Sequence, residues 1–145
     1  FLKKEILPSL FVGSGLLTSK KLSKQQNEDI LIGQDLINNI SKFDIGQSVV
    51  ISVNRVLGIE GPEGTDSLIK RCSKMSYEEK PILVKLSKLK QDVRVDLPTI
   101  GLNTIKLLIS SGFSGLAIQS DLTIILEKNE VVSLANKNNL FIKSI

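Results

Sequence analysis

Charged side chains cluster between Lys85 and Gly101, where the chain reads KLSKLKQDVRVDLPTIG. The stretch follows the apolar run Ile82–Val84, which predicts a short buried strand, and it precedes a segment with a helix start signal. Loops at this position of an α/β protein often carry its chemistry. Lysine and arginine suit phosphate oxygens, and carboxylates suit a divalent cation. The stretch supplies both kinds of group: Lys85, Lys88, Lys90, Arg94, Asp92 and Asp96.

Alternation along an extended segment would place Arg94 and Asp96 on the same side, and Asp92 would join them. A binding site for an anionic ligand with a metal ion is therefore one interpretation of this stretch. A solvated loop with ordinary ion pairs is the other, and composition alone does not separate the two.

The absence of histidine limits the chemistry that is available. It removes histidine-assisted serine or cysteine catalysis and the commonest zinc ligand, so carboxylates and lysines remain. A bound metal is expected to be a hard ion on oxygen ligands, with Mg²⁺ as the first choice.

A second candidate segment is the turn from Glu60 to Asp66, with two glycines and a proline. Glycines let the backbone approach a ligand closely, and Thr65 or Asp66 is predicted to cap a helix that runs to about Lys74. A helix N-terminus of this kind can bind an anion. Glu63, Thr65 and Asp66 are thus second-tier candidates for metal, ribose or phosphate, although such segments are often plain turns.

Composition is that of one globular domain. The 145 residues are 41% hydrophobic and 23% charged, with a net charge of +4 and only 4% aromatic residues. Few aromatics argue against a stacking platform for single-stranded nucleic acid, and no nucleic-acid partner is expected. The mild positive charge is compatible with an anionic ligand or an anionic membrane surface. Cys72 is the one cysteine, which favours a reducing compartment and an inert thiol. No apolar run approaches the roughly 20 residues that cross a bilayer, and the N-terminus lacks a signal-peptide pattern.

The pattern along the chain predicts an α/β domain, namely a single domain with a mixed β-sheet flanked by helices. No glycine pattern of a Rossmann or P-loop domain occurs. Residues 1–26 are interpreted as a linker from a missing N-terminal domain, and residues 27–145 as the domain itself. The first predicted element is a helix over 27–43, with Asn27 as its N-cap and Leu31 on its apolar stripe. A hairpin of strands 48–53 and 56–60, a helix to 74 and a strand over 82–84 follow. The remaining predicted elements are a helix over 98–111 with Pro98 in its first turn, strands over 115–119 and 123–126, a helix over 129–137 and a last strand over 140–145.

Three segments together resemble the C-terminal domain of the LpxI-type UDP-2,3-diacylglucosamine pyrophosphatases. They are Asp44-Ile-Gly-Gln47 with its strand, Val56-Leu-Gly-Ile-Glu60 leading to Glu63-Gly-Thr-Asp66, and Gln91-Asp-Val-Arg-Val-Asp-Leu-Pro-Thr-Ile-Gly101. The resemblance covers roughly residues 28 to 145 and keeps the segments in order.

The resemblance implies a bacterial enzyme of lipid A synthesis. Its expected location is the cytoplasm, with a peripheral position at the inner membrane as the alternative. Such enzymes use a divalent cation to hydrolyse UDP-2,3-diacylglucosamine to UMP and 2,3-diacylglucosamine 1-phosphate. The family's essential aspartate corresponds to Asp96. We expect Asp96, with Asp66 and Asp92, to hold Mg²⁺, and Lys85, Gln91, Arg94 and Thr65 to contact substrate phosphates.

The expected partners are the UDP-linked diacylated sugar, the missing N-terminal domain and a second copy in a homodimer. Activity of this chain by itself is a separate question. The alternative functions are a non-catalytic module that binds the nucleotide sugar or lipid, and a dimerisation module.

Overall fold

The computed structural model describes residues 11–43, 45–87 and 97–145, and it shows an α/β domain with a mixed six-stranded sheet. The predicted fold class is confirmed. The strand order in this sheet is β1-β8-β6-β4-β2-β3, and β5 and β7 form a separate pair. The elements are β1 (Gly15–Leu16), α1 (Lys24–Ile40), β2 (Ser48–Ser52), β3 (Arg55–Ile59), α2 (Thr65–Ser73), β4 (Ile82–Lys85), β5 (Thr99–Ile100), α3 (Leu102–Ser110), β6 (Gly115–Ile118), β7 (Ile124–Ile125), α4 (Lys128–Lys137) and β8 (Phe141–Ser144).

Parallel and antiparallel pairing meet at β4. Strands β4, β6 and β8 are parallel, with α3 and α4 in the two connections, whereas β2 joins β4 in antiparallel orientation and continues into the hairpin with β3. Strands that are covered on both faces have sequences that are nearly continuous apolar runs. Ile82, Leu83 and Val84 fit that rule, since none is more than 1% exposed.

Helices cover both faces of the sheet and form two apolar clusters. On one face α1 packs its Ile30 and Ile37 against a cluster that includes Val84. On the other face α2, α3 and α4 pack against a cluster that includes Leu83 and Leu116. Alternation of side chains along each strand divides neighbouring residues between these two clusters.

Helix α1 starts three residues earlier than predicted, because Ser23 and not Asn27 is its N-cap. The Ser23 hydroxyl accepts from the Gln26 N–H at 3.0 Å, and the Gln26 side chain accepts from the Ser23 N–H at 2.9 Å. This reciprocal capping box satisfies two N–H groups of the first turn. The placement of Leu31 on the buried stripe was also wrong: its side chain is 64% exposed.

Gly33 allows α1 to lie close to the sheet. A Cβ at this position would come within 2.9 Å of Val84 Cγ2 and 3.0 Å of Ile51 Cδ1. Glycine costs a helix interior about 1 kcal/mol relative to alanine. The close contact between helix and sheet explains why the glycine is suited to this position.

The prediction that Pro98 lies in the first turn of a helix was wrong. Residues Thr99–Ile100 form β5, and α3 begins at Leu102 with Gly101 as its N-cap. Strand β5 pairs in parallel with β7, through Thr99 with Ile124 and Ile100 with Ile125. This pairing is long-range, so the local proline signal did not indicate it.

The described part of the predicted linker contributes to the domain. Strand β1 pairs antiparallel with β8, and Val12 is 3% exposed in the cluster on the α2–α4 face. The boundary at residue 26 and the linker to an upstream domain stay predictions.

Cys72 lies on α2 with no exposed surface. Burial raises the pKa of its thiol, the largest effect on this group, and Arg71 opposes that effect. A thiol of this kind is a poor nucleophile, which agrees with its interpretation as inert.

A buried carboxylate fastens the turn of the hairpin to α1. Asp29 is 3% exposed and accepts from the Val53 N–H at 3.0 Å and the Asn54 N–H at 2.8 Å. Both turn residues have positive φ, 46° and 66°, as two-residue hairpin turns require. Gln25 Nε2 donates to Asp29 Oδ1 at 2.9 Å and to Asn54 Oδ1 at the same distance.

We expect Asp29→Ala to lower the free energy of unfolding by roughly 2–4 kcal/mol, because it leaves the Val53 and Asn54 N–H groups without their charged acceptor. Urea denaturation followed by circular dichroism measures the change. Asp35→Ala, on an exposed part of the same helix, is the matched control and should stay within about 0.5 kcal/mol. A loss below about 0.5 kcal/mol for Asp29→Ala would contradict the role of this carboxylate.

Candidate functional site

At one edge of the sheet, four residues from neighbouring strands pair in a row that has a polar side chain at each end. Ser48 of β2 pairs with Lys85 of β4, Lys85 with Ile118 of β6, and Ile118 with Ser144 of β8. Paired residues point to the same face of a sheet. Since Lys85 alternates with Val84 and Leu86 of the α1 face, this row faces α2, α3 and α4.

Lys85 is the cation of this row. It is the last residue of β4, and the charged sequence of residues 88–96 begins three residues later. Burial lowers the pKa of its ammonium group, and the carboxylates of Glu60 and Asp66 act in the opposite direction. Lys85 is thus a partly desolvated cation beside two carboxylates, and ionisable groups with shifted pKa values are common where side chains bind ligands.

Glu60 lies just beyond β3, and its carboxylate joins the starts of β2 and α2. Oε2 accepts from the Gln47 N–H at 3.3 Å, and Oε1 accepts from the Thr65 hydroxyl. The backbone is tied to the same strand, because the Glu60 N–H donates to the Ser48 carbonyl at 2.8 Å. A Cβ on Gly46 would come within 2.5 Å of the Glu60 side chain. The glycine therefore makes room for this carboxylate.

Helix α2 begins beside this carboxylate. Its N-cap is Gly64, with φ of 87° and no side-chain cap, so the prediction that Thr65 or Asp66 caps the helix was wrong. Thr65 donates its hydroxyl to Glu60 instead, and its oxygen lies 3.5 Å from Ser48 Oγ. Asp66 is exposed in the first turn.

Glu63 is occupied elsewhere on the same turn. Its Oε1 accepts from Arg71 Nη2 at 2.8 Å, and both side chains are substantially exposed. The Arg71 guanidinium holds the pKa of the Glu63 carboxyl below its ordinary value. This is a surface ion pair, so Glu63 fits a structural role better than the ligand role considered for it.

The structure brings some of the predicted site residues to one edge. Lys85 lies where β4 ends, close to Thr65 and Asp66 at the start of α2, although it is about 20 residues from them in sequence. Gln91, Asp92, Arg94 and Asp96 lie outside the described residues. Within residues 11–43, 45–87 and 97–145, no group of three or more carboxylate or cysteine side chains is arranged to hold a metal ion.

Sequence reasoning missed Glu60 and Ser48 as members of this edge. Their contacts depend on the pairing of β2 with β4, which the sequence does not reveal. The available signal was the position of an acidic residue at the end of a strand, directly before the Gly61–Gly64 turn.

A concave region separate from this edge lies at the start of α3. It has a volume of about 340 Å³, and Lys106 and Glu127 are the charged residues that line it. The N-cap of α4 is Glu127, with φ of 52°.

The described part of the molecule contains no helix with both the length and the hydropathy that a membrane crossing requires.

The fold and this edge define a class of protein: an α/β domain in which a parallel strand ends in a partly buried lysine near a helix N-terminus, directly before a charged sequence. The family model for the LpxI C-terminal domain matches residues 13–143, and the chain belongs to that family. A similar protein from Caulobacter vibrioides is named UDP-2,3-diacylglucosamine pyrophosphatase LpxI. The two sequences are 27% identical over an alignment of 148 residues, gaps included. The alignment covers 97% of this chain and 53% of that protein. The chain thus spans about half the length of this relative.

We expect Lys85→Met to raise the melting temperature at neutral pH by about 3–5 °C, because it removes a desolvated charge worth on the order of 1 kcal/mol. The pKa of Lys85 is lowered on folding, so its cost is present below the folded-state pKa. That cost fades as the pH rises toward the ordinary value of 10.5.

The advantage of Lys85→Met should therefore shrink between neutral pH and about pH 10.5. Thermal unfolding of both proteins across this range measures it. Lys80→Met, at an exposed position before β4, is the control and should show no such trend. A lower melting temperature for Lys85→Met would show that this lysine stabilises the fold.

Proposed function

We propose that this chain is the carboxyl-terminal half of an enzyme that hydrolyses the diphosphate of UDP-2,3-diacylglucosamine to UMP and 2,3-diacylglucosamine 1-phosphate, a step of lipid A synthesis. The observation that carries the proposal is the family match over residues 13–143, which includes the whole charged loop. The name of the Caulobacter vibrioides relative supports this substrate. The grouping of Lys85, Thr65 and Asp66 at the end of β4 supports a site for phosphate groups.

In this proposal Asp96 is the catalytic residue, Lys85 and Arg94 neutralise the phosphate oxygens, and Gln91 donates a hydrogen bond to them. Charge neutralisation at these oxygens is a large part of catalysis in phosphoryl chemistry. Thr65 contributes through the backbone N–H groups of the first turn of α2, since its hydroxyl proton is directed to Glu60.

Mg²⁺ is the proposed cofactor, held by Asp96 together with Asp92 and Asp66. These donors are all carboxylate oxygens, the ligand type that Mg²⁺ prefers. The exposed carboxylate of Asp66 lies at the edge where the charged loop begins, so its position is compatible with this role. When bound, the ion would polarise the phosphoryl group and lower the pKa of a bound water.

The rest of the enzyme is proposed to lie in a second half. The chain spans 53% of its relative, and the proposed N-terminal domain would account for the remainder. That domain is expected to complete the site. The whole protein is proposed to be cytoplasmic, with a peripheral position at the inner membrane as an alternative. A homodimer is the proposed assembly.

A binding module is the second candidate function. The observation that favours it is that the chain spans 53% of its relative, so essential groups can lie in the other half. In that case this half would hold the nucleotide sugar or the lipid while catalytic groups come from elsewhere. Asp96→Ala would then change affinity and leave the turnover number unchanged.

We expect Asp96→Ala in the complete protein to lower the rate of UMP release by roughly 10³-fold or more, because it removes the proposed catalytic carboxylate. The melting temperature should stay within about 2 °C of the parent. Chromatographic quantification of UMP from UDP-2,3-diacylglucosamine measures the rate, with Asp35→Ala as the control. A variant as active as the parent would remove Asp96 from the proposed mechanism.

Removal of divalent cations with EDTA should abolish UMP release by the parent protein, and added Mg²⁺ should restore it. The same assay on the 145-residue chain tests whether this half acts by itself. Full activity in EDTA would contradict the proposed cofactor. No UMP release by the complete parent protein under any metal condition would contradict the proposed reaction.

A further inference from the structure

The direction of one hydrogen bond indicates what the α2 end of the site can recognise. The Thr65 hydroxyl donates its proton to Glu60 Oε1, and a carboxylate is an acceptor only. A hydroxyl has a single proton, so Thr65 Oγ1 has none left for a phosphate oxygen. Toward a ligand this oxygen can act only as an acceptor.

Ser48 reinforces this arrangement from the sheet. Its Oγ lies 3.5 Å from Thr65 Oγ1 and has no exposed surface. Because the Thr65 proton points to Glu60, Ser48 is the donor in this pair. Thr65 Oγ1 then uses one lone pair for Ser48 and keeps another for a ligand.

Glu60 adds acceptor capacity beside Thr65. Its two oxygens offer about four lone-pair sites, and the described contacts use Oε2 for the Gln47 N–H and Oε1 for Thr65. Glu60 and Thr65 are partly exposed. The Gln47 contact and the close fit over Gly46 hold the carboxylate in place.

A pair of neighbouring acceptors is matched by a ligand with neighbouring donors. Both Glu60 oxygens already accept hydrogen bonds, from Gln47 and Thr65, so a ligand that donates hydrogen bonds suits this pair better than a metal ion. Sugar hydroxyls fit, since a carboxylate at the end of a strand binds ribose hydroxyls in other nucleotide-binding α/β folds.

We propose that Glu60 and Thr65 form an acceptor pair that binds the hydroxyl groups of a sugar in the ligand, with the ribose of the uridine nucleotide as its source. This inference rests on the proposed function, and it names the part of the substrate that meets this end of the site. Lys85 is then placed to meet the phosphate attached to that sugar.

The test compares the dissociation constants of UMP and 2′-deoxy-UMP for the complete protein, measured by isothermal titration calorimetry. We expect the parent to bind UMP about tenfold more tightly, since one charged hydrogen bond is lost with the 2′-hydroxyl. Glu60→Gln and Thr65→Val should reduce this ratio to about twofold or less, and Thr65→Ser should restore it. Glu79→Gln, an exposed carboxylate before β4, is the control and should keep the parent ratio.

The two nucleotides separate recognition from a loss of structure. Glu60→Gln removes a negative charge near the phosphate, so 2′-deoxy-UMP should bind as well as, or better than, it does to the parent. Equal weakening of both nucleotides would show a purely structural role and would overturn the proposal. A parent ratio near one would overturn the ribose assignment.

A second arm distinguishes ribose from the hexose of the substrate. The dissociation constants of glucosamine 1-phosphate and inorganic phosphate are compared in the same way, and we expect Glu60→Gln to leave their ratio unchanged. Dependence on Glu60 here, with none for UMP, would overturn ribose as the source and identify the hexose. If the protein releases UMP but binds UMP and 2′-deoxy-UMP equally, the ribose site is overturned and the proposed reaction stands. If it prefers UMP but releases none from the substrate, the proposed reaction is overturned and the ribose site stands.

Discussion

The antiparallel pairing of β2 with β4 is the constraint on which this edge of the molecule depends. It joins three parallel strands to a hairpin, so the start of β2, the end of β3 and the end of β4 lie at the same edge. Glu60 and Lys85 come together for that reason, although 24 positions separate their numbers in the chain. A shift of this pairing by one residue would turn Lys85 toward the α1 face, among the side chains that pack against Ile30 and Ile37.

At this edge Lys85 is a partly desolvated cation beside two carboxylates. Lys85 loses hydration on folding, and the carboxylates of Glu60 and Asp66 compensate for part of that loss. Glu60 itself is committed to Gln47 and Thr65. The lysine is therefore held in a partly dry position at some cost in stability, as is common where a side chain is retained for its chemistry. A phosphate group would provide the counter-charge that the fold supplies only in part.

Local signals in the sequence predicted much of the fold, and long-range pairing accounts for what they missed. The hairpin and the α/β class follow from β-branched runs and helical periodicity. Strand β5 was missed because Thr99 and Ile100 become a strand only through β7. Within the site, the motif around Thr65 was recognisable in the sequence. The orientation of its hydroxyl was not, because that depends on where the sheet places Glu60.

The carboxylate of Asp29 has a consequence for how the molecule opens. It bonds the turn of the β2–β3 hairpin to α1, on the opposite end of the hairpin from Glu60. Separation of the hairpin from the sheet must therefore also release a buried charge from α1. Helix and hairpin are thereby joined into one cooperative unit. Opening of the turn must therefore also break contacts of α1, and β3, which leads directly to Glu60, shares the stability of that helix.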